Sequence, residues 1–472
     1  MRMAAKHSLF TGKKITVMGL GLQSGGVGVA RFLAHAGARV TVTDLKTKKE
    51  LASSLKTLKG LPIRYVLGQH RMNDFTSADL VVYNPGVRAR FMKLEDSPYL
   101  SAAMRAGVKL DTDIGLFFEI LKEMNAMRRV VTIIGVTGSK GKSTTAALIA
   151  HILKTRYPRT ELAGNIRASV FDILPHITPP TLPVYKGRRE GGTVPIVLEL
   201  SSWQLEGLAR HRQSPNIAVI TNILREHVNA YSGFHAYREA KKHILRFQHR
   251  GDIAILNENI KPFPEFRQRC GMGRIKWFTW RKLERRYTSA WKLPGRHNRM
   301  NLAAALTVAQ LFKIPSQDMV RAVRSFKGLE GRLETVRRIR GVTFINDTAA
   351  TMPDAVVEAL RTFSDPRSII LIFGGVDKAS DYQPLANFLS AYPVKALVLL
   401  PGNAGDALCA ALSATESQIS RAIHMRQAVR SAWRLAEKGD TILLSPGAAS
   451  FNLFQNEFDR GDYFVKAIAS LR

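Results

Sequence analysis

Short apolar runs alternate with helix-like stretches along the N-terminal part of the chain. The run Lys14–Gly21 ends in glycines, a helical pattern covers Val27–Ala36, and a second apolar run, Arg39–Asp44, follows it. Leu80–Tyr83 repeats the strand pattern and passes into a turn at Asn84. Apolar strands that are separated by helices predict a parallel sheet covered by helices on both faces.

The same alternation begins twice more along the chain. A second segment opens with the apolar strand Arg129–Val136, and prolines and glycines between Pro175 and Pro195 predict a loop insertion within it. Further strands are predicted at residues 194–200, 217–222, 342–346, 368–373, 395–400 and 441–444. Because 472 residues exceed what one apolar core usually serves, the three segments predict three α/β domains.

The amino-acid composition is typical of a globular protein, but the net charge is unusually high. The chain carries 70 Lys and Arg against 37 Asp and Glu, a formal net charge of +33, which favours anionic partners. The basic residues come in small clusters without a nucleic-acid-binding motif, so we expect a solvated basic surface and no nucleic-acid partner. Cys270 and Cys409 form no CxxC motif, and no stretch approaches the ~20 apolar residues of a membrane span. We therefore expect a cytoplasmic protein. We also expect it to be a monomer.

The most specific local motif lies between a predicted strand and a predicted helix. It comprises Gly138, Ser139, Lys140, Gly141, Lys142, Ser143 and Thr144. Glycines there let backbone N–H groups turn toward a phosphate chain, with Lys142 placed for the β- and γ-phosphates and Ser143 for Mg²⁺. Val136 stands where the strict pattern has glycine. The predicted domains are a Rossmann-like domain at residues 1–112, a P-loop ATPase-like domain at 113–327 and a second Rossmann-like domain at 328–472.

Three residues beyond this motif are candidates for metal chemistry. Glu199 follows an apolar strand and could ligate Mg²⁺, and His227 could ligate a second ion. Each residue has a plainer alternative when it is considered alone. The carboxylate could cap a helix, the histidine could be structural, and Lys241 could be one of many surface lysines.

A series of motifs, taken in order, resembles those of the Mur ligases. They are TGSKGKST, LELSSWQLE, TN-x₄-H, YREAK, GRHNRMN, a glycine-rich lead to Arg332, NDTAAT, GGVDK and SPGAAS. The resemblance covers Gly19 to about Phe464, and its spacing is closest to the members that add glutamate to UDP-N-acetylmuramoyl-L-alanine. It implies an ATP-dependent amide ligase of peptidoglycan precursor synthesis, which works through an acyl phosphate.

The resemblance assigns roles in catalysis and in nucleotide binding. The implied catalytic residues are Lys142, Glu199, His227, Lys241 and Arg332. The implied ligands of two Mg²⁺ ions are Ser143, Glu199, His227 and, if it is carbamylated, Lys241. Carbamylation would turn a cation that repels Mg²⁺ into an anion. The implied contacts to ATP are the phosphate-motif residues together with Asn298, Asn301, Arg332 and Asp347.

The resemblance also implies where the two other substrates bind. The residues implied for the UDP-sugar are Gly21, Leu22, Gln23, Asp44, Asn84, Gly86, Asn165 and His227. Those implied for the amino acid are Thr351, Lys378 and Ser450. Hydroxyls and a lysine suit the carboxylates of glutamate. Ser24 replaces the third glycine of the dinucleotide fingerprint, so a uridine-diphosphate loop is favoured over the alternative of an NAD site.

Several positions depart from the motifs of the family. Ala349 stands where a lysine is common, and Glu457 lies in a stretch that usually ends in an aromatic residue. Lys140 replaces a common asparagine, and Arg225 precedes Glu226 and His227. Because the amino-acid pocket loses a cation, the reaction class is better defined than the amino acid, which we expect to be D-glutamate. The alternatives are a Mur-type step with a different amino acid and a basic P-loop protein that binds nucleic acid.

Overall fold

The computed structural model describes most of the chain. The described ranges are residues 9–21, 24–84, 94–123, 131–166, 168–177, 193–224, 231–266, 271–377, 380–412, 416–450, 453–454 and 456–471. They fall into two compact units, one up to residue 292 together with 296–326, the other 293–295 together with 327 onward. The first unit contains two sheets and the second contains one.

The first sheet consists of five parallel strands. These are β1 Lys14–Met18, β2 Arg39–Asp44, β3 Ile63–Leu67, β4 Leu80–Tyr83 and β5 Lys109–Asp111. The helices between them are α1 Ser24–His35, α2 Ala52–Thr57, α3 Met72–Thr76 and α4 Pro98–Arg105. The strand order is β3-β2-β1-β4-β5, so the direction of winding reverses between β1 and β4. The carboxyl ends of strands at such a reversal border a crevice where ligands bind.

The second sheet consists of six parallel strands. These are β6 Val131–Thr137, β7 Glu161–Gly164, β8 Val194–Glu199, β9 Ile217–Ile220, β10 Ile253–Asn257 and β11 Arg274–Phe278, in the order β11-β10-β9-β6-β8-β7. The accompanying helices are α5 Asp113–Glu123, α6 Lys142–Leu153, α7 Val170–Ile177, α8 Ser202–Arg210, α9 Phe234–Arg246, α10 Arg285–Ala290, α11 Arg296–Leu311 and α12 Ser316–Ser325. Pro175 lies inside α7 and Pro195 lies inside β8. The loop insertion predicted between these prolines is therefore shorter than predicted, because regular structure extends into both of its ends. Residues 178–192 lie outside the described residues.

The two sheets of the first unit share one apolar core. Val17 of β1 and Ile133 of β6 belong to the same buried cluster. The rings of Phe32 in α1 and Phe171 in α7 are 4.9 Å apart. The residues on the two sides of the predicted boundary near residue 112 therefore share one core. That boundary stays a prediction, as does the one near residue 328.

The sheet of the second unit is mixed. Its strands are β12 Glu334–Ile339, β13 Val342–Asn346, β14 Ile369–Gly374, β15 Ala396–Leu400, β16 Gln418–Arg421 and β17 Thr441–Leu444, in the order β12-β13-β17-β14-β15-β16. Its helices are α13 Pro353–Leu360, α14 Gln383–Ala391, α15 Ala404–Ala411, α16 Met425–Leu435 and α17 Glu457–Ala469. The α/β class is confirmed, but the antiparallel pairing of β12 with β13 was not predicted. Arg340 and Gly341 join these strands with positive φ at both positions, as a two-residue hairpin favours.

Candidate active site

The phosphate loop connects β6 to α6 and requires both of its glycines. Gly138 has φ +144° and Gly141 has φ +78°, values that L side chains rarely adopt. A Cβ on Gly138 would lie 2.0 Å from Thr221 Oγ1, and one on Gly141 would lie 2.3 Å from Asn301 Oδ1. The Lys142 ammonium curls back over the loop, donating hydrogen bonds to the carbonyls of Gly138 at 3.0 Å and Ser139 at 2.8 Å.

The Thr221–Asn222 pair after β9 holds the loop in shape. The Thr221 hydroxyl donates to the carbonyl of Lys140 at 2.6 Å. Asn222 Oδ1 accepts from the Lys140 N–H at 2.9 Å, and its carbonyl accepts from the Ser139 N–H at 3.0 Å. The backbone of Lys140 therefore defines the loop, while its side chain is exposed. This explains how a lysine can replace the asparagine common at this position.

The N-terminus of α6 suits an anion. Gly141 is its N-cap, with no side-chain hydrogen bond that would compete for the helix amides. Ser143 and Thr144 are buried in the first turn. Asn301 of α11 accepts a hydrogen bond from Thr145 at 3.1 Å and donates to Asn298 at 3.2 Å. The structure thus places both asparagines of the GRHNRMN motif beside the phosphate loop, as a nucleotide site requires.

Glu199 ends β8 with one oxygen that has no partner. Glu199 is 2% exposed. In the parallel pairing of β6 with β8, it lies opposite Val136. Oε1 accepts a hydrogen bond from Asn165 Nδ2 at 3.2 Å, whereas Oε2 is buried without a hydrogen-bond partner. A buried carboxylate oxygen without a partner costs roughly 1–3 kcal/mol. Because a hard divalent cation prefers such oxygen ligands, Glu199 fits the Mg²⁺ role, and the alternative of a helix cap does not hold.

Lys241 is a buried lysine of α9, so the alternative of a surface lysine is wrong. It is 2% exposed, and its ammonium donates to Thr137 Oγ1 at 3.1 Å at the end of β6. Thr137 in turn donates to the carbonyl of Leu200, next to Glu199. The lysine therefore lies at the strand ends that carry the phosphate loop and the unpartnered carboxylate. His227 and Arg225 lie outside the described residues.

The first sheet carries a separate cavity at its carboxyl edge. Asp44 at the end of β2 accepts hydrogen bonds from the N–H groups of Gly21 at 3.1 Å and Lys46 at 2.9 Å. The cavity is lined by Val17, Gly19, Gly25, Gly26, Val29, Val82, Tyr83, Asn84 and Asp113. Three glycines between β1 and the first turn of α1 (Gly19, Gly25 and Gly26, here called the glycine loop) border this cavity with Asn84. The predicted UDP-sugar residues Gly21 and Asp44 are hydrogen-bonded to each other but do not belong to its lining. Leu22, Gln23 and Gly86 lie outside the described residues.

In the second unit, Asp347 follows β13 and is buried. Oδ1 accepts from the Leu333 N–H at 3.1 Å, and Oδ2 accepts from the Ser445 hydroxyl at 2.8 Å. Burial raises the pKa of Asp347 to about 7, although these hydrogen bonds and nearby Arg332 lower it. Arg332 itself is exposed. Both residues predicted to contact ATP from this unit thus lie on adjoining loops.

The pKa of Asp347 predicts how stability depends on pH. A carboxyl whose pKa is higher in the folded state binds more protons there, so the free energy of unfolding falls as pH rises from about 4 to about 7. Asp347→Asn should remove up to about 4 kcal/mol of this loss, because its amide oxygen still accepts from Leu333 and its NH₂ group donates to the Ser445 hydroxyl, without a charge. We expect the melting temperature of the variant to exceed that of the wild type at pH 8 and to approach it at pH 4. Equal differences at both pH values would contradict the assignment.

The loops that carry the predicted amino-acid residues converge on a buried arginine. Ser450 is buried and Thr351 half-buried, whereas Lys378 lies outside the described residues. Arg460 of α17 is fully buried and donates to the carbonyls of Thr348 and Ala448, each at 2.9 Å, and to Thr348 Oγ1 at 3.1 Å. It therefore joins the NDTAAT and SPGAAS loops. Sequence reasoning missed Arg460, because an arginine in a helix ordinarily indicates a solvated face.

The departures Ala349 and Glu457 have local explanations. The Ala349 N–H donates to the carbonyl of Gly331, which ties its loop to the segment that leads to Arg332. Glu457 opens α17, where its carboxylate suits the helix dipole, and its carbonyl accepts from Thr348 Oγ1 at 2.5 Å. These positions therefore use backbone contacts that do not depend on the side chain.

Comparison with known proteins places these sites in a family. Family models match the chain in three stretches: the MurD-like N-terminal domain of Mur ligases over residues 13–110, the Mur ligase middle domain over 136–279 and the Mur ligase glutamate ligase domain over 331–447. The UDP-N-acetylmuramoylalanine--D-glutamate ligase of Roseiflexus sp. (strain RS-1) is 40% identical, over 97% of this chain and 99% of its own length. The chain belongs to the Mur ligase family. It is accordingly an ATP-dependent ligase, as the motifs predicted.

Other relatives and solved structures agree with this membership. The enzyme of the same name from Geobacter metallireducens is 36% identical over 98% of both chains. Among solved Mur ligases, UDP-N-acetylmuramate-alanine ligase MurC of Thermotoga maritima shares the fold with a TM-score of 0.60 at 21% identity, covering 97% of this chain and 99% of its own. MurF of the same organism, solved in complex with ADP, has a TM-score of 0.53 at 14% identity, covering 91% of this chain and 94% of its own. Within the ranges that the structure describes, every helix of this Mur ligase is too short or too polar to cross a bilayer.

Proposed function

We propose that this Mur ligase joins D-glutamate to UDP-N-acetylmuramoyl-L-alanine, with conversion of ATP to ADP and phosphate. The observation that carries the proposal is the match, over nearly the whole chain, to relatives named for this reaction. The cavity of the first sheet supports a UDP-sugar acceptor, and the phosphate loop supports ATP. The reaction belongs to peptidoglycan precursor synthesis.

The proposed reaction proceeds in two steps. A carboxylate oxygen of the acceptor attacks the γ-phosphorus, and the bond from that phosphorus to ADP breaks. The amine of glutamate then attacks the acyl carbon, the bond to phosphate breaks, and the nitrogen loses a proton. Phosphorylation is needed because a carboxylate has no good leaving group. Alignment of the reactants is worth up to ~7–11 kcal/mol, so the protein mainly positions groups and stabilises charge.

The phosphate loop supplies most of that charge stabilisation in this proposal. Lys142 exchanges a carbonyl partner for a phosphate oxygen, and the amides at the start of α6 face the phosphate chain. In the same proposal, Arg332 adds a second cation, and Asp347, Asn298 and Asn301 each contact the nucleotide. These assignments rest on the motifs and on the geometry of each unit by itself.

The metal proposal rests on Glu199 and Lys241. The unpartnered Oε2 of Glu199 and the buried Ser143 fit one Mg²⁺, with His227 and a carbamylated Lys241 for a second. Bound Mg²⁺ neutralises charge on the phosphoryl oxygens. Asn165 orients Glu199 through Oε1 and remains a candidate contact to the acceptor. Thr351, Lys378 and Ser450 are proposed to hold the carboxylates of glutamate.

The proposal predicts one stereospecific product. With ATP and UDP-N-acetylmuramoyl-L-alanine, D-glutamate should give a species whose mass equals acceptor plus glutamate minus water, together with stoichiometric phosphate, and L-glutamate should give none. Mass spectrometry of parallel incubations measures this, with ATP omitted as the control. A product formed with another amino acid would show that the enzyme catalyses a different Mur-type step. The alanine at position 349, where a lysine is common, leaves that alternative open. Salt-sensitive RNA binding without amino-acid-stimulated ATP hydrolysis would favour the nucleic-acid alternative.

A further inference from the structure

One carboxyl group in the wall of the first-sheet cavity has no assigned role. Asp113 opens α5, is 8% exposed and lines the cavity together with the glycine loop and Asn84. A Cβ on Gly25 would lie 3.4 Å from Asp113 Oδ2 and 4.0 Å from Asn84 Nδ2. An atom placed against Gly25, in the first turn of α1, would therefore lie within contact distance of the Asp113 carboxyl group.

Hydrogen bonds hold this carboxyl group in place. Asp113 Oδ1 accepts from the Ile114 N–H at 2.8 Å. Its side chain is also hydrogen-bonded to the side chain of Gln204 in α8. Gln204 Oε1 already accepts from the N–H of Ser201 at 3.0 Å and from its hydroxyl at 3.2 Å, so its NH₂ group is the donor to Asp113. The carboxyl group is thus fixed between α5 and the LELSSWQLE segment.

Burial, more than the surrounding charge, disfavours the ionised form of Asp113. Burial and, to a smaller extent, Asp111 at the end of β5 together raise the pKa of Asp113 to about 6, although the two hydrogen bonds from Ile114 and Gln204 lower it. Asp111 contacts His211 Nε2 at 2.9 Å. On α8, the Arg210 guanidinium lies 5.7 Å from the centroid of the Tyr83 ring in the cavity wall. A diphosphate on the glycine loop would add negative charge beside a carboxylate that is already poorly solvated.

We propose that Asp113 is a positioning residue of the UDP-sugar site, which takes up a proton when the diphosphate enters and then donates a hydrogen bond to a phosphate oxygen. The proposal rests on the assignment of this cavity to the UDP-sugar. It resolves the conflict between two anions in one cavity, because a neutral carboxyl group is a donor whereas a carboxylate repels phosphate. Its proton comes from solvent.

The proposal predicts that acceptor binding is coupled to proton uptake. A free carboxyl with a pKa of about 6 is mostly ionised at pH 7, so binding should take up roughly 0.5–1 proton per acceptor at that pH. The affinity of the wild type should fall by up to about tenfold for each pH unit above pH 6, until the pKa of the complex is passed. Asp113→Asn should bind the acceptor without proton uptake and with little dependence on pH, because an amide donates without titrating.

Titration calorimetry of the full-length protein with UDP-N-acetylmuramoyl-L-alanine, without ATP, measures the uptake. Two buffers of different ionisation enthalpy at pH 7 give the number of protons, and the diester diphosphate of this probe does not itself titrate near that pH. Asp74→Asn is the matched control, since Asp74 is equally buried at 8% exposure but pairs with Arg64 and is absent from the lining of the cavity. The control should keep the uptake of the wild type.

The titration tests the role of Asp113 and the UDP-sugar assignment separately. Binding by the wild type without proton uptake would overturn the role of Asp113 and leave the UDP-sugar assignment intact, and this result does not depend on how any variant folds. Equal uptake by Asp113→Asn and the wild type would also overturn it. No binding by a folded wild-type protein would refute the UDP-sugar assignment itself, and the role of Asp113 with it.

Discussion

Lys142→Ala should abolish ADP release under conditions in which the wild type turns over. The ammonium lies over the phosphate loop and donates to two of its carbonyls, at 2.8 and 3.0 Å, beside the proposed phosphate site. Removal of one preorganised donor to a developing charge typically costs 10²–10³-fold in rate, and a charged donor costs more, so we expect a loss of at least about 10³-fold. A coupled assay of ADP release in the presence of acceptor and glutamate measures it.

Lys154→Ala is the matched control for this substitution. Lys154 is an exposed lysine at the C-terminal end of the same helix, α6, so its removal subtracts an equal charge far from the loop. We expect its turnover to stay within about threefold of the wild type, because exposed charges are screened by salt. Turnover of Lys142→Ala at the level of this control would refute the phosphate-loop assignment.

Glu199→Gln should lower activity without lowering stability. The amide keeps the carbonyl oxygen that accepts from Asn165 and replaces the unpartnered oxygen by a group that cannot ligate a cation. Turnover should fall by about 10²–10³-fold, the range for loss of one charge-stabilising group. With EDTA present, the melting temperature should be no lower than that of the wild type, because the substitution keeps the hydrogen bond from Asn165 and changes only the oxygen that has no partner. Turnover against Mg²⁺ concentration and melting curves with EDTA test the two effects.

Glu206→Gln is the matched control for this substitution. It removes a carboxylate from α8, the helix that follows Glu199. Glu206 is half-buried in α8, outside the strand ends that carry the phosphate loop. Its turnover should follow the Mg²⁺ dependence of the wild type. A Glu199→Gln protein that melts several degrees lower in EDTA would show that the buried carboxylate is structural, and the metal assignment would then fail.

Regular patterns of apolar and polar residues predicted most of the strands that the structure contains. The strands Arg39–Asp44, Leu80–Tyr83 and Thr441–Leu444 have the predicted bounds, because an apolar run between polar turns leaves little choice of boundary. Others are shifted by a few residues. The run Lys14–Gly21 forms a strand only to Met18, since its glycines turn away from the sheet with positive φ.

The structure brings together side chains whose proximity no local pattern could indicate. Glu199 ends β8 and Asn165 directly follows β7, and the pairing of β7 with β8 makes these residues neighbours although they are 34 positions apart in the sequence. Asp113 and Arg460 were missed for a related reason. An aspartate at the start of a helix ordinarily suggests a cap, and an arginine ordinarily lies in solvent, so their burial against other segments is a property of the packed molecule.

The contact between Gly28 and α7 limits how this ligase can be re-engineered. A Cβ on Gly28 would lie 2.1 Å from Ser169 Oγ, so even a single methyl group would push α1 away from the segment that begins α7. An acceptor module cut at residue 112 and grafted onto a different ATP-binding module would meet a foreign side chain at this point. Chimeras that carry residues 169–177 together with the N-terminal sheet should therefore yield soluble hybrid enzymes, whereas those cut at residue 112 should aggregate.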